Sequence, residues 1–254
     1  GDAKVTFGTG SSVLLNIGDH PQHSGAGVVT TIGWVHDKTP TYAYEGIINF
    51  TGATIAWMRD QMRYIQTPEE TEALALAVPD NGGVYLVPAF VGLSAPYWKP
   101  NAKAGILGLT PASTREHIVR AALESIAYQV KDVLELMQAE AGVSLQFIHA
   151  DGGMVNNRFL MQFVADMTGI ILRASRLPDL SPLGAVMAGL LGLGNFSTIP
   201  SLRALPHDFV DYHPQLSSAQ RDHYYEGWKN AVQQVIFVPY HKNRTRYIVS
   251  LHPI

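Results

Sequence analysis

Apolar and polar positions alternate through the start of the chain, and a run of small residues interrupts them. Val5 and Phe7 precede, and Val13, Leu14, Leu15 and Ile17 follow, the stretch Gly8-Thr9-Gly10-Ser11-Ser12. That pattern predicts a hairpin: strand, glycine-rich turn, strand. Residues 28–34 and 41–44 supply further strand material. From residue 46 through 62 the spacing turns helical, with Ile48, Ala53, Ile55, Ala56, Trp57 and Met58 inside the stretch. Thr67-Pro68-Glu69-Glu70 sets a capping residue ahead of a proline at the first helical position and begins a short helix through Ala77. Residues 84–90 form a short apolar strand, and residues 91–100 form a turn-rich, aromatic loop.

The second half repeats helix and strand in alternation. Ala104, Ile106, Gly108 and Leu109 mark a short strand that runs into a polar turn. Ser113-Thr114-Arg115-Glu116 has the form of a capping box, with Ser113 as N-cap and Glu116 at N3. A long helix then covers residues 114–141 and closes at Gly142. Residues 147–150 are a strand ending at Asp151-Gly152-Gly153; residues 156–168 are a helix and 170–173 a strand. Residues 181–193 form a helix rich in small residues and suited to close packing, 198–214 read as a loop, and 217–235 as a last amphipathic helix. There is no internal repeat and no low-complexity linker, so the reading is one α/β domain over residues 1–254. Both glycine motifs sit at strand ends, where open α/β sheets bind ligands.

Composition narrows the function. Charged residues make up only 15% of the chain against a usual ~25%, which fits a face that meets another domain. A net charge of −3 gives no electrostatic reason to expect nucleic acid or membrane as partner. The absence of cysteine excludes disulfides and thiolate metal sites and fits a cytoplasmic protein. No apolar run of transmembrane length and no signal-peptide pattern is present, and the start at Gly1, without Met, suggests an excised piece of a longer protein. The histidines do not suggest a metal site. His20 and His23 are separated by Pro21, and His207, His213 and His223 are scattered without carboxylate partners. His117 reads as a local hydrogen-bonding residue in the first turn of the long helix, and Trp57, Trp98 and Trp228 as packing residues.

The Phe7-to-Ser12 run can bring backbone amides and three hydroxyls close to an anion. It lacks the lysine of a Walker A loop and the following helix of a dinucleotide fingerprint, and taken alone a plain hairpin turn is the simpler reading. Asp151-Gly152-Gly153-Met154-Val155-Asn156-Asn157, a strand entering a helix, is a natural place for a nucleotide. Asn157 could bond a base or a phosphate there.

The segment from Lys103 to Tyr128 closely resembles the second signature of the FGGY carbohydrate kinases, with Ala104, Ile106, Gly108, Leu109, His117, Ile118 and Ala121 to Glu124 at its fixed positions. The Phe-Gly-Thr-Gly hairpin, Gly52 to Trp57, Pro88 to Trp98, Asp-Gly-Gly and Asn157 to Gln162 resemble the C-terminal half of enzymes of the glycerol kinase branch. The resemblance extends from Lys4 to Val235. It implies an actin-like ATPase (ribonuclease H-like) fold with a mixed sheet flanked by helices, and an ATP-dependent, Mg2+-requiring kinase of a small polyol or sugar.

By the same resemblance the nucleotide-binding residues are Gly8, Thr9, Gly10, Gly52, Ala56, Gly152, Gly153, Met154 and Asn157. Thr9 falls at the terminal phosphates, Gly52 at phosphates or ribose, and Gly153 and Asn157 at the adenosine end. Ser12 is substrate-proximal, where glycerol kinases usually carry an aromatic, and Ala56 stands where they usually have Gln. Both departures suggest a wider or more polar pocket, suited to a four- or five-carbon polyol or ketose. No catalytic residue is expected in this chain. The base Asp belongs to a Gly-Asp-Gln motif farther upstream, and Asp2, only seven residues before Thr9 and followed by Ala, cannot fill that role. The resemblance therefore implies an N-terminal sugar-binding domain outside this chain and an inactive fragment; no metal-ligating residue is expected here, and the assembly is left open, a homodimer or tetramer being compatible. Two alternatives stay open: a ketopentose or deoxysugar kinase of the same family, and a non-catalytic actin-like nucleotide-binding module.

Overall fold

The computed structural model describes residues 2–177, 180–205 and 208–237; His207 and the basic tail with Lys242, Arg244 and Arg246 lie outside them. The predicted hairpin forms. Strands β1 (Ala3–Phe7) and β2 (Ser11–Gly18) pair antiparallel, with Phe7 opposite Ser11. Their alternation puts Val5, Phe7, Val13 and Leu15 in the core and Lys4, Thr6, Ser12 and Leu14 on the opposite face. β3 (Val29–His36) and β4 (Thr39–Ile48) form a second hairpin, and β4 also pairs antiparallel with β2. The helical reading of residues 46–62 is corrected here. The ladder carries β4 through Ile48, and α1 spans only Gly52–Asp60.

The turn at Thr67 and Pro68 precedes the next helix, so α2 (Glu70–Leu76) starts later than the proline suggests. β5 (Tyr85–Val87) is shorter than the apolar run and pairs with β6 (Gly105–Leu107) in a separate two-stranded sheet. The long helix, α3 (Arg115–Ala141), ends at Gly142 as expected. Its N-cap is Thr114, not Ser113, and N3 is His117, whose Nδ1 accepts from the Thr114 amide at 3.2 Å. Ser113 instead accepts from the Thr110 amide at 2.9 Å and so belongs to the preceding turn.

β7 (Phe147–Asp151), α4 (Arg158–Thr168) and β8 (Ile171–Ser175) form a parallel crossover unit. The stretch expected to be loop, 198–214, holds a short 3-10 helix and the edge strand β9 (Phe209–Tyr212), antiparallel to β8. The main sheet thus runs β3-β4-β2-β1-β7-β8-β9. One face packs on α3 and α4, joined by the edge-on contact of Tyr128 with Phe163. The last helix, α6 (Ser218–Ile236), is capped by Ser217 and seats the fully buried Trp228 against Tyr128.

Two features depart from simple packing. The small-residue helix, α5 (Ser181–Gly192), does not pack closely: none of its residues is buried, and Val186 is 56% exposed. Asp132 of α3 is buried yet polar. It accepts Tyr225 Oη at 2.6 Å on one oxygen, and Tyr97 Oη and Trp228 Nε1, each at 2.9 Å, on the other. These bonds tie the aromatic loop and α6 to α3. Burial pushes the Asp132 carboxyl up to about 6, although the three donors pull it down. Among the described residues no helix is long and apolar enough to cross a membrane.

Candidate functional site

β1 and β7 are parallel neighbours, Thr6 opposite Asp151, so the turn after β1 and the Asp-Gly-Gly after β7 leave the sheet at the same edge. Their backbones touch. Gly152 has φ +99°, and a Cβ there would lie 2.3 Å from the Phe7 carbonyl oxygen. Only glycine fits that approach. The hairpin turn is pinned in the same way to the start of α1. The Gly52 amide donates to the Gly8 carbonyl (3.0 Å) and the Ala53 amide to the Thr9 carbonyl (2.9 Å). Thr51, fully buried just before α1, donates its hydroxyl to the Gly8 carbonyl at 3.0 Å and accepts from Ser11 Oγ at 3.1 Å. Thr51 is a pin that the sequence reading missed, because a helix over residues 46–62 would place it mid-helix rather than at the junction with the hairpin.

This assembly leaves the Thr9 side chain exposed at the tip of the turn, while the Gly52 amide is already committed to Gly8. Beside it a cleft of about 600 Å³ opens between α2 and residues 153–158, an ordinary size for a small-molecule site. Gly153, Met154 and Asn157 line it, as expected, and Ile55, Thr71 and Glu72 join them. A Cβ on Gly153 would meet nothing within 4 Å beyond the adjoining stretch of its own chain. Met154 joins cleft to hairpin, its sulfur 3.6 Å from where a Gly52 Cβ would stand. Ala56 is half-buried on α1 and does not line the cleft; its neighbour Ile55 does.

The cleft walls are laced together. Asn157 caps α4, its Oδ1 accepting from the Leu160 amide (2.9 Å) while its Nδ2 donates to Thr71 Oγ1 (3.0 Å). Arg158 gives its amide (2.6 Å) and its Nε (3.0 Å) to the Glu72 carboxylate. Asp151, which the motif presents as a lead-in to the glycines, is fully buried. Its carboxylate pairs with Lys4 at 2.9 Å and accepts from the Leu180 amide at 2.9 Å, so it holds the approach to α5. Ser12 lies on the sheet face away from α3 and donates to Glu45 at 3.0 Å, making a polar patch there.

Residues 3–193 match the FGGY family of carbohydrate kinases, C-terminal domain. The chain belongs to that family. Glycerol kinase 1 of Thermotoga maritima is 47% identical over 236 residues, covering 93% of this chain and 48% of the relative. A glycerol kinase of Saccharolobus islandicus is 44% identical over 237 residues, covering 93% and 47%. Among solved structures, Plasmodium falciparum glycerol kinase with ADP superposes at a TM-score of 0.86 with 32% identity, over 92% of this chain and 47% of that one. A ligand-bound xylulose kinase from Lactobacillus acidophilus superposes at 0.78 with 20% identity, over 92% and 48% of the two chains, which shows the shared fold. The actin-like fold expected of an FGGY kinase is therefore present, and the chain spans about half the length of the FGGY relatives it matches.

Proposed function

We propose that this chain is the nucleotide-binding half of an ATP-dependent carbohydrate kinase, which transfers the γ-phosphoryl group of Mg-ATP to a hydroxyl of glycerol or a related small polyol or sugar. The observation that carries the reading is the convergence of the Thr9 turn and the Gly152-Gly153 turn at one sheet edge beside an open cleft, in a chain of the FGGY C-terminal family. The open flank of Gly153 suits close approach of a ligand to the backbone. On this reading Thr9 reaches the phosphates, and Gly153, Met154 and Asn157 hold the adenosine end. The Asn157 side chain does so while capping α4, which makes the pocket and the helix one unit.

Catalysis needs a base in line with the γ-phosphate and a closed, dry cleft. On this reading the base Asp and most of the acceptor pocket lie in an N-terminal domain outside this chain. Among the described residues no three His, Cys, Asp or Glu side chains gather into a metal site. Magnesium, which enters with the nucleotide, would neutralise charge on its phosphates.

The Ser12–Glu45 pair favours a second reading of the acceptor, a polyol or ketose with more hydroxyls than glycerol. One experiment tests both. The polypeptide extended by its native upstream coding region is given Mg-ATP with glycerol, erythritol, xylulose or ribulose, and ADP release is followed with the 254-residue chain as control. Turnover by the long form alone is expected, and the preferred acceptor decides between the two readings. ADP binding without turnover on any acceptor would replace the kinase with a non-catalytic nucleotide-binding module.

A further inference from the structure

The signature helix α3 carries Arg120 and Glu124 four residues apart on one face, and both are buried. Arg120 Nε donates to Glu124 Oε1 at 2.8 Å. The other Glu124 oxygen accepts from Asn81 Nδ2 (2.9 Å) and Tyr128 Oη (3.2 Å), so the carboxylate is fully engaged. Burial pushes the Glu124 carboxyl up, and the guanidinium opposes that push. A buried ion pair of this kind is poor value for stability, because desolvation offsets most of its Coulomb energy. Its position points to another use.

The Arg120 guanidinium lies behind the cleft and touches the two elements that carry its walls, the end of α2 and the start of α4. Its NH1 group donates to the Val78 carbonyl at 2.7 Å and the Ala75 carbonyl at 3.2 Å, in and just beyond the last turn of α2. Its Cζ lies over the ring of Phe159, 5.0 Å from the centroid, in the first turn of α4. α2 has seven residues, too few to hold a position unaided, and its terminal carbonyls need donors. On its other side α2 presents Thr71 and Glu72 to Asn157 and Arg158.

We propose that Arg120, held in place by Glu124, is a positioning residue that sets the spacing between the two walls of the nucleotide cleft. This rests on the nucleotide reading above. The fork of the guanidinium fixes α2 and its face fixes α4, a combination that a lysine ammonium cannot reproduce.

ADP titration calorimetry on the chain tests it, with far-UV circular dichroism to verify folding. Arg120→Met should weaken ADP binding about tenfold or more, as a slight misplacement of a wall would. Arg120→Lys should recover only part of the loss. Met137→Ala, a cavity variant in the distant half of α3, should lower thermal stability at least as much while leaving ADP affinity within about twofold of the parent. Phe159→Leu keeps the ion pair and removes only the ring, so it reports on α4 even if Arg120→Met fails to fold; it too should weaken ADP. Unchanged affinity in the folded arginine and phenylalanine variants, or equal weakening by Met137→Ala, overturns the proposal alone. A parent chain that binds no ADP overturns the nucleotide reading and this proposal together.

Discussion

Two adjacent glycines should fail in opposite ways when each is given one methyl group. At Gly152 the new Cβ would stand 2.3 Å from the Phe7 oxygen, 2.7 Å from its carbon and 2.9 Å from its nitrogen, at φ +99°. Backbone strain of about 1–3 kcal/mol adds to the cost of prising β1 from the turn after β7. Gly152→Ala should therefore lose about 3 kcal/mol or more, a fall of roughly 6–12 °C in Tm for a chain of this size. At Gly153 the methyl meets nothing within 4 Å and the backbone conformation is ordinary, so Gly153→Ala should keep its stability or gain about 0.5–1 kcal/mol. The same methyl points into space that the ligand is proposed to fill. Overpacking of about 1–3 kcal/mol would weaken ADP by roughly 5- to 150-fold. Scanning calorimetry and ADP titration on the two variants separate the effects. A Gly153→Ala chain with lowered Tm and parental ADP affinity would refute the assignment of that face to the ligand.

Thr9→Ala removes an exposed hydroxyl and should leave Tm within about 1–2 °C of the parent while weakening ATP more than adenosine, measured by competition titration. Asn157→Ala removes both the cap of α4 and the bond to Thr71 and should cost about 2 kcal/mol in urea denaturation, whereas Asn157→Asp keeps the cap and should lose less. Asp132 makes stability depend on pH. Its carboxyl titrates near 6 when folded and near 3.8 when unfolded, so the folded state holds the proton more tightly and stability should fall as pH rises from about 4 to 6, by about 3 kcal/mol from this group. Asp132→Asn can still accept from Tyr97 and Trp228 and donate to Tyr225; it should abolish that component, and an unchanged pH slope in urea denaturation would refute the assignment.

Much of the fold is legible in the chain because local patterns and long-range packing agree. The alternation around Val5 and Val13 is the register of a half-buried hairpin, and Gly142 ends α3 where a left-handed residue is needed. The glycines of the site are legible for the same reason, since close backbone approach leaves a compositional mark. The cleft wall is not. Thr71 meets Asn157 and Glu72 meets Arg158 across 86 residues, and nothing local distinguishes them from solvated helix positions. Ile55 rather than Ala56 faces the cleft because the rotation of α1 is set by the pins at Gly8 and Thr9, which no helical periodicity encodes. β9 is short and lies at the sheet edge, so its four residues carry too little alternation to stand out from loop. α5 is apolar all round, which signals burial, yet the described chain only half-buries one side of it, at Leu183, Met187, Leu190 and Leu191, and leaves the rest exposed.

Hydrogen–deuterium exchange of the chain with and without ADP tests most directly whether this half holds the nucleotide where the geometry places it. We expect slowed exchange confined to the hairpin turn around Thr9, to α2, and to residues 152–158, with α6 and the β3–β4 hairpin unchanged. Protection centred on another face, or no protection at saturating ADP, would contradict the assignment of the cleft.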